Sequence, residues 1–339
     1  MGWLLWTWIV PAAALAAEPA ASPGRGADGI RLYDSHAHLV SDDPVRYPSN
    51  PIRLTPPPGE TQVYRPPFVP GTIGIPGGMH GPDPVNAKPT AETMRAWMAE
   101  QNVVGMAAVQ KGMIYRTDNS YIVDSAQKYP AEMRAVAIVD PAEPGTAEKV
   151  RELAGHGIVG IRFFPVGVDD KVAWLSSPAA LEIWTIADEL GLIVDLEAPP
   201  FDSETMIPLV EAMGDRFPDL PIVLDHLFMP VVTDPDFGID SRYAGLVARR
   251  NVFLKFTSLN MDVIREQGVA PERVLRRAVD VFGADRVMWG SDIGTSSGSY
   301  EEMVRRAIDA TALLGDEERR KVLHDTGRHV FAGWNRPGD

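Results

Sequence analysis

Eight short apolar runs recur along this chain, each followed by a longer segment, and that alternation constrains the fold more than any other feature. The runs are 31–39, 103–110, 135–141, 158–164, 192–198, 221–227, 252–259 and 286–292. Stretches such as LIVDL (192–196) and PIVLD (221–225) are mostly apolar, as expected of strands covered on both faces. Helices are expected at 90–101, 119–128, 146–156, 179–190, 203–217, 242–250, 271–282, 300–314 and 316–331. In 179–190, Ile183, Ile186, Ala187 and Leu190 fall on one helical face. Gly191, Gly214 and Gly283 stand where helices should stop. Strand–helix repetition gives a parallel sheet, and eight strands are enough to close a barrel. The expected fold is α/β, a (β/α)8 TIM barrel over 30–335. A chain of 339 residues could hold two domains, but one such barrel uses roughly 250 residues, and more with insertions.

Two segments break the rhythm. Residues 41–88 form a long insertion after strand 1, dense in Pro and Gly. A loop after a barrel strand emerges on the C-terminal face, so it reads as a lid, with an embellishment on the barrel's side as the alternative. Its Gly-rich part, 71–81, neither directly follows a strand nor opens a helix, which makes it a poor phosphate loop. At the start, 3–17 is uncharged and apolar but short for a bilayer span, and Ala14-Leu15-Ala16 offers a small-residue cleavage pattern. Residues 1–17 therefore read as a signal peptide and 18–29 as a flexible lead-in, giving a periplasmic or secreted protein. Met1-Gly2 lacks the usual Lys or Arg, which keeps an N-terminal anchor as the alternative. No other stretch is apolar enough to be a stable membrane anchor.

The net charge of −14, with no Lys/Arg run, argues against nucleic acid as a partner. The expected partner is a small molecule; if it is anionic, local cations must receive it. A homo-oligomer is left open. The chain has no cysteine, which excludes disulfides, thiolate catalysis and Cys-ligated zinc. Any metal must use His, Asp, Glu or a modified Lys.

The sharpest chemical signal is Asp34-Ser35-His36-Ala37-His38 in strand 1. Strand side chains alternate, so His36 and His38 point together into the barrel mouth. Such a pair can hold one divalent ion or bind a substrate oxyanion. His226 ends strand 6 in LDHLFMP, and Asp292 closes strand 8 in RVMWGSD. Polar residues at the C-terminal ends of barrel strands read as catalytic. Arg162 ends strand 4, where a guanidinium could grip a substrate carboxylate or pair with Asp195 or Glu197. Lys255 in strand 7 should face the barrel, for substrate contact or for a pair with Asp195. Gln110 ends strand 2 and could bond substrate, as could Tyr115 beyond it. His80 in the insertion could reach the site.

These residues also carry a resemblance. DSHAH, LDHLFMP, RVMWGSD and the terminal GDEERRKVLHDTGRHVF occur in the order and strand spacing of the second amidohydrolase family, from about residue 30 to 331. The chain is similar to that family's lactonase branch, which includes 2-pyrone-4,6-dicarboxylate lactonase and sugar lactonases. Three positions depart from the pattern. Glu197 stands where many members have a strand-5 His, Arg162 where a carboxylated Lys can occur, and Thr326-Gly327 where Asn-Ala is usual. The resemblance implies a hydrolase that opens a lactone or related cyclic ester. Asp292 would activate water, with His36, His38 and His226 polarising the carbonyl. It implies either one divalent metal, Zn or Mn, on His36, His38, Asp292 and Glu197, or catalysis without metal. The competing readings are a metal-dependent decarboxylase of an unsaturated or aromatic acid and a non-catalytic periplasmic binding barrel.

Overall fold

Apolar, β-branched stretches carry too few polar side chains to face water, and they pair with one another behind a ring of helices. The computed structural model describes residues 29–50, 88–197 and 203–333. Its strands are β1 (Leu32–Ala37), β2 (Val103–Val109), β3 (Met133–Val139), β4 (Gly160–Phe163), β5 (Ile193–Leu196), β6 (Ile222–Leu224), β7 (Val252–Thr257) and β8 (Val287–Gly290). They form one sheet in chain order, and neighbouring strands are parallel. The sheet curls until β8 meets β1. There Asp292 N donates to His36 O at 2.7 Å, His38 N donates to Ile293 O at 3.1 Å, and Ala37 bridges Ile293. The molecule is a (β/α)8 TIM barrel.

The interior is layered. Ile193, Val223 and Phe253 lie two residues before Asp195, Asp225 and Lys255, so alternation puts each on the face of its polar successor. With Ala107, Val109, Val136 and Met288 they make an apolar cluster, joined by Val330 and Phe331 of the last helix, Thr326–Ala332. The Phe331 ring lies 5.2 Å from Lys255 Nζ, where the apolar floor meets the polar layer above it. Outside the barrel, the helix Pro271–Phe282 buries Val274, Leu275, Ala278, Val279 and Phe282 on one face. The helix Tyr300–Ala310 opens with a capping box, Ser299 Oγ accepting from Glu302 N and Ser299 N donating to Glu302 Oε2. Among the described residues, no helix is long and apolar enough to cross a membrane.

Three local departures from the sequence expectation have physical causes. The run at 252–259 stops being a strand at Thr257, because Thr257 and Asn260 form a capping box that starts the helix Ser258–Glu266. β6 ends at Leu224 and enters a tight turn, Asp225–Phe228. His226, Leu227, Phe228 and Met229 all have positive φ, between 51° and 57°. Side chains from elsewhere hold this turn: Tyr243 OH donates to Leu227 O (2.8 Å) and Phe228 O (3.1 Å), and Asn260 Nδ2 donates to His226 O (2.7 Å). The terminal helix divides into Asp316–Arg320 and Thr326–Ala332 around a π-helical turn, Lys321–Asp325. Within it, Gly327 faces β1 so closely that a Cβ would stand 2.1 Å from Ser35 Oγ. The leader expected at 1–17, the lead-in up to residue 28, and most of the lid-like insertion (51–87, with His80) lie outside the described residues.

Candidate active site

β1 and the residue just past its end supply two imidazoles, His36 and His38, whose Nε2 atoms point toward the same carboxylate. His38 Nδ1 lies 2.8 Å from the Val109 carbonyl, which can only accept, so in the neutral ring Nδ1 carries the proton and Nε2 the lone pair. That Nε2 is 3.2 Å from Asp292 Oδ1. His36 Nδ1 is 3.0 Å from Asp225 Oδ1, and its Nε2 is 3.6 Å from the same Asp292 oxygen. The two rings meet edge-on at 4.9 Å. Asp292 reaches them from a residue with φ of 52°, just beyond β8. Ser296 Oγ donates to Asp292 Oδ2 at 2.9 Å, leaving Oδ1 to face the imidazoles.

The donor set fits a metal. His36 Nε2 and Asp292 Oδ1 are buried without a hydrogen-bond partner. One ligand atom each from His36, His38 and Asp292 lies within 4.8 Å of the others. Lone pairs converging in this way need a proton or a cation between them, and two imidazoles with a carboxylate suit a divalent ion. Burial, with the Lys255 ammonium adding to it, holds His36 well below the usual imidazole range. Burial, with Lys111 nearby, lowers His38 to about 4. Burial opposes the charge on Asp292, yet the imidazoles of His38, His226 and His36 hold its carboxyl well below the usual range.

A second group, His36, Asp225 and His226, also has ligand spacing. Lys255 already places a cation there, with Nζ 3.0 Å from Asp225 Oδ1, 3.1 Å from His36 Nδ1 and 2.5 Å from Asp195 Oδ2. Arg162 completes the polar layer. Its Nε and Nη2 donate to Asp225 Oδ2 at 2.9 and 2.7 Å, and Nη2 also bonds Glu197 Oε2. Glu197 thus belongs to neither ligand group and is engaged by Arg162, with His226 Nε2 at 3.5 Å. His226 is fixed through Nδ1, 2.7 Å from Thr257 Oγ1. Burial alone would lower its pKa, but Glu197, with Asp292 and Asp225 behind it, raises it to about 9.

Above this layer is a small chamber of about 50 Å³, walled by His38, Lys111, Arg162, Glu197, His226 and Asp292 among others. Gln110 and Tyr115 do not line it. Gln110 Nε2 donates to the Asp118 carbonyl, and Tyr115 OH accepts from Ser41 N at 2.9 Å.

Sequence comparison agrees with this geometry. The Amidohydrolase family model matches residues 33–332. The chain belongs to the amidohydrolase family. A curated relative, the L-fucono-1,5-lactonase of Burkholderia ambifaria, is 24% identical over 244 residues, covering 67% of this chain and 80% of that protein. A probable 2-pyrone-4,6-dicarboxylic acid hydrolase from Acinetobacter baumannii, solved with citric acid bound, superposes with a TM-score of 0.63 at 18% identity, over 89% of this chain and 99% of that one. An amidohydrolase from Burkholderia multivorans with bound zinc gives a TM-score of 0.61 at 20% identity, with the same coverage of each chain. At these identities the solved structures speak for the fold alone. Membership of this family makes the chain an enzyme, an amidohydrolase-family hydrolase.

Four residues in or beside this amidohydrolase site escaped the sequence reading: Lys111, Asp225, Thr257 and Asn260. Asp225 and Lys111 had a usable signal, since each is a polar residue just past a strand's C-terminal end. Thr257 had none, because it falls inside the run expected as strand 252–259, and Asn260 had none, because it follows that run with no sign of the helix that begins at Ser258.

Proposed function

We propose that this amidohydrolase opens a lactone or related cyclic ester by attack of water. The observation that carries the reading is the convergence of His36 Nε2 and His38 Nε2 on Asp292 Oδ1, at 3.6 and 3.2 Å, where His38 and Asp292 line a small pocket at the barrel mouth. The lactonase relative supports an ester carbonyl as the target. His36, His38 and Asp292 would hold one divalent ion, Zn or Mn, which when bound supplies Lewis acidity at that point.

The side chains divide the work. Asp292 Oδ1 takes a proton from the attacking water, while Ser296 fixes the other carboxylate oxygen. A carboxylate held so far below neutrality is a weak base, so the carbonyl must be activated from the opposite wall. With a pKa of about 9, His226 is cationic at pH 7 and donates from Nε2 to the carbonyl oxygen. A well-placed donor of this kind contributes about 3–4 kcal/mol in the transition state. The ring C–O bond then breaks, the departing alkoxide takes the proton held by Asp292, and a hydroxy acid leaves. Arg162 and Lys255 hold Glu197, Asp225 and Asp195 as ion pairs beneath the chamber.

Turnover of a lactone panel and a carboxylic-acid panel by purified protein tests this, with metal content measured before and after chelation. Ring opening releases a proton at neutral pH, which a pH-stat records. Carbon dioxide from the acid panel, with no lactone opened, would move the reading to decarboxylation. No turnover of either panel by metal-loaded protein would leave a binding barrel.

A further inference from the structure

Three cations other than His226 sit in or beneath the chamber, and two of them are neutralised. Arg162 is bonded to Asp225 and Glu197, and Lys255 to Asp195 and Asp225. Lys111 differs. Its side chain is buried against the chamber wall, and its ammonium bonds the neutral hydroxyl of Thr295. Among the described residues, no carboxylate forms an ion pair with it. The carboxylates of Asp292 and Glu197 act on it without forming an ion pair, and a buried ammonium so incompletely paired is costly, a cost that a directly bonded anion relieves.

The position of this charge is informative. Thr295 belongs to the turn that carries the proposed base: Thr295 N and Ser296 N both donate to Asp292 O, at 3.1 and 2.9 Å. The Lys111 ammonium therefore stands beside the reacting end of the chamber, within the reach of one small molecule. On a chain of net charge −14, an anionic substrate needs such a local cation.

We propose that Lys111 seats a permanent carboxylate of the substrate, so that the enzyme selects lactones bearing an acid group over their neutral counterparts. This rests on the lactone-opening reading and adds the charge of the substrate to it. The acid group takes no part in bond making. It pairs with the ammonium and orients the ring carbonyl toward Asp292 and His226.

The test uses the full chain and matched probes. Tetrahydrofuran-2-carboxylate and its primary amide cannot be opened, and calorimetry reports their binding. The corresponding γ-lactone acid and its amide report turnover. Wild type is expected to bind the ether acid about tenfold or more tighter than the amide. The lactone pair should show a similar ratio in kcat/KM, carried by KM. Lys111→Met should collapse both ratios toward one, and Lys111→Arg should keep most of the preference. Equal binding of ether acid and amide by wild type overturns the proposal without any variant having to fold. So does a Lys111→Met protein that retains the ratio, or one that loses acid and amide equally. If no lactone is opened but the Lys111-dependent preference for the ether acid persists, the seat stands and the lactonase reading falls.

Discussion

Asp292 adopts a left-handed conformation, φ 52°, which Asn tolerates about as readily as Asp. Asp292→Asn should therefore keep the turn while removing the base and one of the three groups that would hold the ion. The expected result is a fall in kcat/KM of about 10²- to 10⁴-fold on the best lactone, with an unfolding midpoint close to wild type. His226 makes a separate prediction through pH. Its folded-state pKa, about 9, lies above the 6.5 of a free imidazole, so its charge stabilises the native state. That contribution is complete below about pH 6.5 and is lost as pH rises through about 9. Thermal melts should show the advantage of wild type over Glu197→Gln shrinking across that window. Alternation along β1 made His36 and His38 legible in the sequence, and the rim rule did the same for Asp292. Asp225 escaped because a regular strand would send Asp225 and His226 to opposite faces. The left-handed turn removes that constraint, and nothing in LDHLFMP announces it. Lys111 escaped for a related reason: β2 ends at Val109, so Gln110 turns aside to Asp118 and its neighbour takes the place in the wall.

The turn at Asp225–Phe228 is an element that its own residues would not choose, since three of them, His226 to Phe228, and Met229 after them hold positive φ. Its rigidity comes from partners on later elements. Asn260→Ala strips a donor from His226 O and an acceptor from Thr257 N, both buried. A loss of about 1–3 kcal/mol is expected for each buried group left unpaired, read from urea unfolding, together with a lower kcat. The last helix offers a cleaner test. Gly327→Ala should cost about 1–3 kcal/mol by overpacking against Ser35. In the Ser35→Ala background the closest contact is gone and only Tyr33 Cδ1, 3.2 Å from the new Cβ, must give way, so the same change should cost clearly less, helped by the preference of about 1 kcal/mol for Ala over Gly in a helix. A double-mutant cycle measures the coupling. The eight strands and most helices could be read from periodicity because each buries one regular face. The helix Ser258–Glu266 could not, since the apolar run of β7 passes into it without a break and only the Thr257–Asn260 cap marks the change.

The whole barrel is closed by the groups that form its site. Asp34 Oδ1 accepts from Ser291 N (2.8 Å) and His36 N (3.1 Å), and Asp34 Oδ2 from Tyr300 OH (3.1 Å), so one carboxylate ties β1 to the segment after β8. An ion held by His36, His38 and Asp292 would bridge the same seam and bind only the closed barrel. Added Zn or Mn at a hundredfold excess over its Kd should then stabilise the fold by about 2.7 kcal/mol. Differential scanning calorimetry should show a rise in Tm for wild type and none for Asp292→Asn. The junction of β1 with β8 has one more implication, for biosynthesis. His36 leaves the ribosome more than two hundred and fifty residues ahead of Asp292, and they are neighbours only once the eighth strand is in place. A nascent chain halted anywhere before that strand lacks the carboxylate that completes the site, so catalytic competence arrives in a single step, once the eighth strand has been made.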